Sequence, residues 1–334
     1  MKIQSVCIAV TLMIGLLAGC ATQQKRGSMM AQLYEGRPVS RLDVNGTPKT
    51  EQEAIARGDA AMHAQQDDLA LFEYIRALSL PAGQQRDETL YKIGRIHQLH
   101  QRDRLSEKAY QMALQDNPHN IDVLQQLGVN YSKKGVFEVG KRFFIRAINA
   151  DQMRLHHHVM LSPSLNQIDT VDALEMDQHS PVNAYMGLGI IYDVDSQHDI
   201  AQALYKKVLN IHPQSSKLLL NIGYSYYMSG DILEAKRATL AALALDPGNS
   251  RAQNNLGLIY LSQGKIHRAL NVFMRQMESY QALNRVGYFL MIQGHPDQAI
   301  PYLQQAIDEK SSFYQAAHEN LERAFAEVNA LAHQ

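Results

Sequence analysis

Three consecutive histidines form the cluster in this 334-residue sequence that could hold a metal ion. They are followed within about two dozen residues by acidic side chains and one more histidine: His156, His157, His158, Asp169, Asp172, Glu175, Asp177 and His179. Adjacent side chains on a helix point about 100° apart, so one ion rarely binds three in a row. No HExxH-type spacing follows. We interpret the cluster as a surface loop or partner contact, with a metal site as the alternative.

Other sequence signatures of catalysis are missing. There is no GxGxxG after a predicted strand, no GxxxxGK[ST] and no GxSxG. The 32 basic and 33 acidic residues nearly balance, which disfavours a nucleic-acid binder. We therefore expect a non-enzymatic protein with no catalytic residue, no cofactor and no metal. An enzyme that uses the histidine cluster is the most distant alternative.

Cys20 is a candidate for lipid modification. It ends the stretch Leu17-Ala18-Gly19-Cys20, which closes an apolar run behind Met1-Lys2. This start is typical of a secretory signal, and the small residues before the cysteine resemble the lipobox of bacterial lipoproteins. The resemblance implies a signal peptide over 1–19, acylation of Cys20, for example with palmitate, and anchoring at the outer membrane, facing the periplasm. An ordinary signal peptide with a chance cysteine is the alternative.

A glycine preceded by an apolar residue recurs along the chain. The glycines are Gly94, Gly128, Gly189, Gly223, Gly257 and Gly287, with spacings of 34, 61, 34, 34 and 30 residues. A large side chain usually lies three residues after the glycine, and a small one lies twelve residues after it. A period near 34 with apolar residues at helical spacing predicts a repeated pair of helices.

The repeat resembles the tetratricopeptide repeat. The resemblance implies an all-α protein, an α-solenoid of about seven repeats that forms a right-handed superhelix and ends in a C-terminal capping helix. We predict a lipidated cysteine and flexible tether over 20–50, units one to three over 51–151, and an insertion over 152–181. Units four to seven follow over 182–312, with the capping helix over 313–334.

In this architecture the first helix of each unit lines a concave groove. The groove positions of units two and three are polar, whereas those of units four to seven are mainly apolar. The candidate partner-binding residues are Met186, Ile190, Val194, Leu220, Tyr224, Tyr227, Met228, Leu258, Leu261, Tyr288, Met291 and Ile292. An apolar groove normally marks an interaction site, and we expect it to bind a partner helix. The alternative is that curvature or the C-terminal helix buries these side chains.

The stretch Ala282–Leu290 and two later segments, Asp297–Leu303 and Ala317–Leu321, resemble the repeat lipoproteins (TadD type) of Flp, or tight-adherence (Tad), pilus systems. The resemblance implies a scaffold whose partner is an outer-membrane secretin or another component of pilus assembly, in a Flp/Tad or type IV system. A periplasmic adaptor of peptidoglycan hydrolases and a factor for outer-membrane protein assembly are the alternatives.

Overall fold

The computed structural model describes residues 29, 31–36, 46–81, 83–163 and 168–332. Within these residues the regular secondary structure is helical, and no strand occurs there. None of the helices in this part of the chain combines the length and the apolar composition needed to cross a membrane. Cys20 and the predicted signal peptide lie outside the described residues.

The helices fall into two compact units, Met1–Asp151 and Gln152–Gln334. The first unit contains α1 (Glu51–His63), α2 (Asp67–Ala77), α3 (Arg86–Leu99), α4 (Asp103–Asp116), α5 (Ile121–Lys133) and most of α6 (Phe137–Arg154). The second contains α7 (Ile168–Asp172), α8 (Val182–Val194), α9 (His198–Ile211), α10 (Ser216–Met228), α11 (Ile232–Leu245), α12 (Ser250–Ser262), α13 (Ile266–Phe273), α14 (Ser279–Ile292), α15 (Pro296–Glu309) and α16 (Gln315–Ala332).

Seven helix pairs, three from α1/α2 to α5/α6 and four from α8/α9 to α14/α15, correspond to the seven repeats expected from the sequence, and α7 lies between the two sets. The predicted all-α solenoid of stacked helix pairs is confirmed. The spacing of 30 residues between Gly257 and Gly287 has a local cause, because α13 has only 8 residues where the second helices of the two preceding repeats have 14.

The repeat glycine lies where the two helices of a pair cross. In each repeat a Cβ atom added to this glycine would lie within 2.6 Å of the residue sixteen positions later. That residue is Tyr74, Tyr110, Phe144, Tyr205, Thr239, Phe273 or Leu303. The small residue twelve positions after the glycine is also buried, as at Ala201, Ala235 and Ala269. Six of the seven pairs therefore place a large side chain of the second helix over a glycine on the first, and the fifth pair places Thr239 there.

The turn inside each pair also follows the repeat. Seven residues after its glycine, every repeat has a residue with positive φ: Gln65, Gln101, Gly135, Ser196, Gly230, Gly264 and Gly294. The first helices of several repeats begin with a side chain that caps their first turn. Asn120 accepts a hydrogen bond from the Val123 amide and Asn249 accepts one from the Ala252 amide.

The region predicted to be an insertion is held by specific hydrogen bonds. Helix α6 continues to Arg154, and Arg154 binds both carboxylate oxygens of Asp177 at 2.7 and 2.9 Å. The Gln152 side chain accepts from the Glu175 amide and donates to the Glu175 carbonyl, as a neighbouring strand would. Lys207 on α9 donates to the Leu174 carbonyl. These bonds join the start of the segment to its end and tie the end to α9.

Part of the predicted tether packs against the first unit. Residues 31–33 are helical, and the Leu33 side chain is completely buried. The Tyr34 ring meets Phe72 edge to face, at 6.4 Å between ring centroids. The prediction of a flexible tether over 20–50 is therefore wrong for residues 31–36, because Leu33 and Tyr34 gain more by burial than the short segment loses in backbone freedom.

The chain's last described helix covers the end of the seventh repeat. Ala317 and Ala324 on α16 are completely buried, and Asn320 donates to Asn284 on α14 at 3.0 Å. Glu319, Glu322 and Arg323 are exposed on the other side. An apolar inner face and a charged outer face are what the end of an open stack of repeats requires.

Candidate partner-binding groove

The first helices of repeats four, five and six together line a cavity of about 450 Å³, which we call the groove pocket. Helices α8, α10 and α12 contribute most of its walls. Its apolar lining consists of Ile190, Val194, Leu220, Tyr224 and Met228. All five are among the twelve groove residues expected from the sequence. The apolar lining therefore combines side chains that are up to 38 positions apart in the chain.

Four of these five side chains are exposed although they are apolar. The exposed fractions are 42% for Ile190, 59% for Val194, 43% for Tyr224 and 49% for Met228. Leu220 is only 5% exposed and lies at the base. Apolar side chains that share one pocket at this exposure make the pocket a candidate interaction surface.

The other seven expected groove residues lie elsewhere. Met186, Leu261 and Met291 are buried between helices, and Leu258 is half-buried. Tyr288 and Ile292 are exposed on α14 but do not line the groove pocket. Tyr227 lines a different pocket together with Leu261, and its hydroxyl accepts a hydrogen bond from Gln293 at 3.4 Å.

The separation of Tyr224 from Tyr227 follows from helix geometry. Residues three apart on a helix differ by about 60° in direction, so two neighbouring stripes can face different surfaces. Tyr224 faces the groove pocket, and Tyr227 faces the edge formed by the turns between paired helices. The apolar groove surface is thus shorter than the full set of twelve residues.

Polar side chains also line the groove pocket. Asn221, Arg251 and Asn255 contribute hydrogen-bond donors there. The side-chain nitrogen of Asn221 is buried and has no hydrogen-bond partner. Asn221 and Asn255 were not among the expected residues, although a signal was present: each lies two residues before the glycine of its repeat.

A buried carboxylate fixes the base of the pocket. Asp193 accepts hydrogen bonds from Ser225 at 2.6 Å and from His198 and Tyr205, both at 2.9 Å. Its side chain is only 8% exposed. Burial raises the pKa of Tyr205, and the adjacent Asp193 carboxylate raises it further. The carboxylate thereby ties α8, α9 and α10 together.

The same cluster lacks the arrangement of a hydrolytic triad. In a triad the serine hydroxyl donates to the imidazole, which acts as its base. Here Ser225 donates to Asp193, and His198 bonds to the same carboxylate. The imidazole therefore does not activate the Ser225 hydroxyl, and the cluster acts in packing.

The three histidines of the inserted segment do not converge. His156 has a φ of +58°, which turns the chain, and the His157 Nε2 atom lies 3.8 Å from a Glu175 carboxylate oxygen. No group of three or more possible metal ligands occurs among the residues that the structure describes. The Arg154 guanidinium bonds to Asp177 and lowers the pKa of that carboxyl, so this acid is committed to an ion pair.

Residues 220–277 and 280–313 match the tetratricopeptide repeat family. These residues include α11 to α15 and most of α10. Proteins with this repeat bind protein partners. A tetratricopeptide repeat protein from Parabacteroides merdae has the same fold, with a TM-score of 0.52 and 16% identity, over 83% of this chain and 100% of that chain. PilW, described as a widely conserved type IV pilus biogenesis factor, has a TM-score of 0.50 and 13% identity, over 70% of this chain and 97% of its own.

Two curated proteins also match part of this sequence, and the match covers less than half of each of them. The peroxisomal targeting signal receptor of Candida albicans is 25% identical over 224 residues, which cover 61% of this chain and 38% of that protein. An uncharacterised protein, ycf37, of Guillardia theta is 31% identical over 83 residues, which cover 25% of this chain and 47% of that protein. The chain thus spans less than half the length of the curated relatives it matches.

Proposed function

We propose that this chain is a lipid-anchored scaffold of the outer membrane, facing the periplasm, that captures a helix of a pilus secretin in its groove pocket. The observation that carries the proposal is the set of exposed apolar side chains around one cavity, from Ile190 to Met228. Capture of a helix by such a surface needs no chemistry beyond burial and hydrogen bonding.

The pocket selects the kind of helix that it binds. Its apolar wall favours aliphatic or aromatic side chains on one face of the partner, and Met228 can adapt its shape to them. Its polar side chains favour an acceptor beside them, because Arg251 is cationic and Asn255 can donate.

Two features favour a pilus secretin as the source of the helix. The closing repeats resemble those of Flp/Tad lipoproteins, and the fold is shared with a type IV pilus biogenesis factor. A lipidated Cys20 would hold the scaffold at the membrane into which a secretin ring inserts. We therefore propose that the chain helps the secretin to assemble, as a pilotin does.

The first prediction concerns the groove pocket. Tyr224→Ala combined with Met228→Ala should weaken partner capture at least tenfold, because both side chains are exposed on one apolar wall. Truncating a central interface residue often costs about 2 kcal/mol or more, which exceeds the 1.4 kcal/mol of a tenfold change. In cells, the secretin should then appear as monomer instead of detergent-resistant multimer, and surface pili should be lost.

The matched control is Leu233→Ala, which removes an apolar side chain that is 75% exposed on α11 and does not line the pocket. This variant should keep normal secretin multimers, and both variants should keep wild-type helicity. Normal multimers in the double variant or in a deletion strain would contradict the secretin assignment. Altered peptidoglycan hydrolase activity in the same strains would instead favour the adaptor hypothesis.

A further inference from the structure

The first unit holds a segment of its own chain at the edge where the turns between paired helices lie. Leu33 is completely buried there, and its carbonyl accepts a hydrogen bond from the Nε2 atom of His97 at 2.8 Å. Arg102 donates to the Glu35 carbonyl. Burial lowers the pKa of His97, which keeps the ring neutral with its proton available to Leu33. This edge of the repeats can therefore bind a short apolar segment.

The second unit has a pocket at the corresponding edge, with a volume of about 490 Å³, which we call the edge pocket. His97 and Arg102 lie three and eight residues after their repeat glycine, and Leu290 and His295 lie at the same two positions after Gly287. Leu290 and His295 both line the edge pocket. The two repeat positions that contact the chain's own segment in repeat two thus line an open pocket in repeat seven.

The lining of the edge pocket is apolar at its base and polar at its rim. Leu261 and Leu290 are at most 3% exposed, and Ile232 and Ile266 are half-buried beside them. Gln293 and His295 lie at the rim. A pocket with this lining can accept an aliphatic side chain at its base, as the corresponding edge of the first unit holds Leu33.

We propose that the edge pocket is a second docking site, which binds one turn of an amphipathic helix of a partner protein through a leucine-like side chain. In repeat two, His97 donates a hydrogen bond to the backbone carbonyl of Leu33. In repeat seven, the same position is Leu290, which has no donor. The backbone carbonyls of the partner must therefore be hydrogen-bonded within the partner's own helix. The turn therefore comes from the middle of a helix and not from its end. The site is separate from the groove pocket, since Tyr224 and Tyr227 face different pockets.

The test uses the purified full chain with isotope-labelled isoleucine methyl groups. The probe is a synthetic peptide that places the sequence Gln32-Leu33-Tyr34 in the middle of an alanine- and lysine-rich helix. We expect the peptide to shift the methyl signals of Ile232 and Ile266, which line the edge pocket. A peptide with aspartate in place of the leucine should bind at least tenfold more weakly.

Two variants of the chain separate the edge pocket from the groove pocket. Ile266→Glu should abolish the shift at Ile232, whereas Ile190→Glu, in the groove pocket, should leave it unchanged. The proposal is overturned if the peptide shifts no methyl signal of the edge pocket, if it shifts only Ile190, or if it shifts only Ile93 and Ile96 of the first unit. It is also overturned if the aspartate peptide binds equally well. None of these results depends on a secretin being the partner of the groove pocket.

Discussion

At the scale of single residues, the turn inside each helix pair requires a left-handed backbone. Four repeats meet this requirement with glycine, whereas Gln65, Gln101 and Ser196 adopt it with a side chain. A residue with a Cβ atom pays about 1–2 kcal/mol in this conformation. The position seven residues after the repeat glycine thus decides part of the stability of each repeat.

The second prediction is that Gly230→Ala destabilises the protein by roughly 1 kcal/mol. Gly230 has a φ of +86°, and a Cβ atom added there would meet no atom within 4 Å, so the backbone conformation alone causes the loss. Thermal unfolding followed by circular dichroism measures it. Gln101→Gly is the reciprocal variant, because Gln101 has a φ of +57°, and it should not lower the melting temperature. An unchanged melting temperature in Gly230→Ala would contradict the explanation.

At the scale of helices, the fifth repeat is distinctive because backbone atoms of its second helix are among the three atoms nearest to a Cβ added at its glycine. A Cβ atom added at Gly223 would lie 2.5 Å from the Thr239 hydroxyl, 3.2 Å from the Thr239 nitrogen and 3.3 Å from the Ala235 carbonyl oxygen. In most of the other repeats the nearest atoms belong to an aromatic ring. Backbone atoms cannot rotate away from a new side chain, so α10 and α11 would have to separate.

The third prediction is that Gly223→Leu costs about 1–3 kcal/mol of stability through overpacking. The loss should spread to neighbouring repeats because they share interfaces. Gly248→Leu is the matched control, since a Cβ atom there would meet only Asp246, at 3.8 Å. Hydrogen exchange of α10 to α13 and a melting curve measure both variants. Equal stability of the two variants would mean that the crossing is not the cause.

At the scale of the whole molecule, the proposed lipid anchor and the packed N-terminal segment lie close together in sequence. Only eight residues separate Cys20 from Met29, which packs against the core of the first unit. An extended chain spans at most about 3.6 Å per residue. If Cys20 carries lipid, Met29 is therefore held within roughly 30 Å of the membrane surface.

The fourth prediction is that Cys20→Ser abolishes lipid labelling and releases the protein into the soluble periplasmic fraction. The repeats should stay folded, because Cys20 precedes the described residues and no described helix can cross a membrane. Labelling with a fatty-acid analogue and fractionation in high salt measure the two effects. A Cys20→Ser protein that still sediments with the outer membrane would show that anchoring does not depend on lipid.

The repeat can be predicted from the amino-acid sequence alone. Helix periodicity and a glycine with a fixed spacing depend on residues close together in the chain, so the seven pairs and the glycine crossings could be predicted from sequence. The exposed apolar residues on α8 and α10 also followed from position within the repeat, as Ile190, Val194 and Tyr224 show. Helical residues at equivalent positions face equivalent surfaces, because consecutive repeats stack in the same way.

The neighbours that fill each surface of a helix became known from the folded structure. It placed Tyr227 at the edge of the repeats, brought Asn221 and Asn255 into the groove pocket and buried Leu33 against the first unit. It also gave Asp193 its three hydrogen-bond donors, which come from helices α9 and α10. Such contacts depend on how closely helices cross and on which side chains meet between elements distant in the chain. A pattern of local spacing carries no information on these distances.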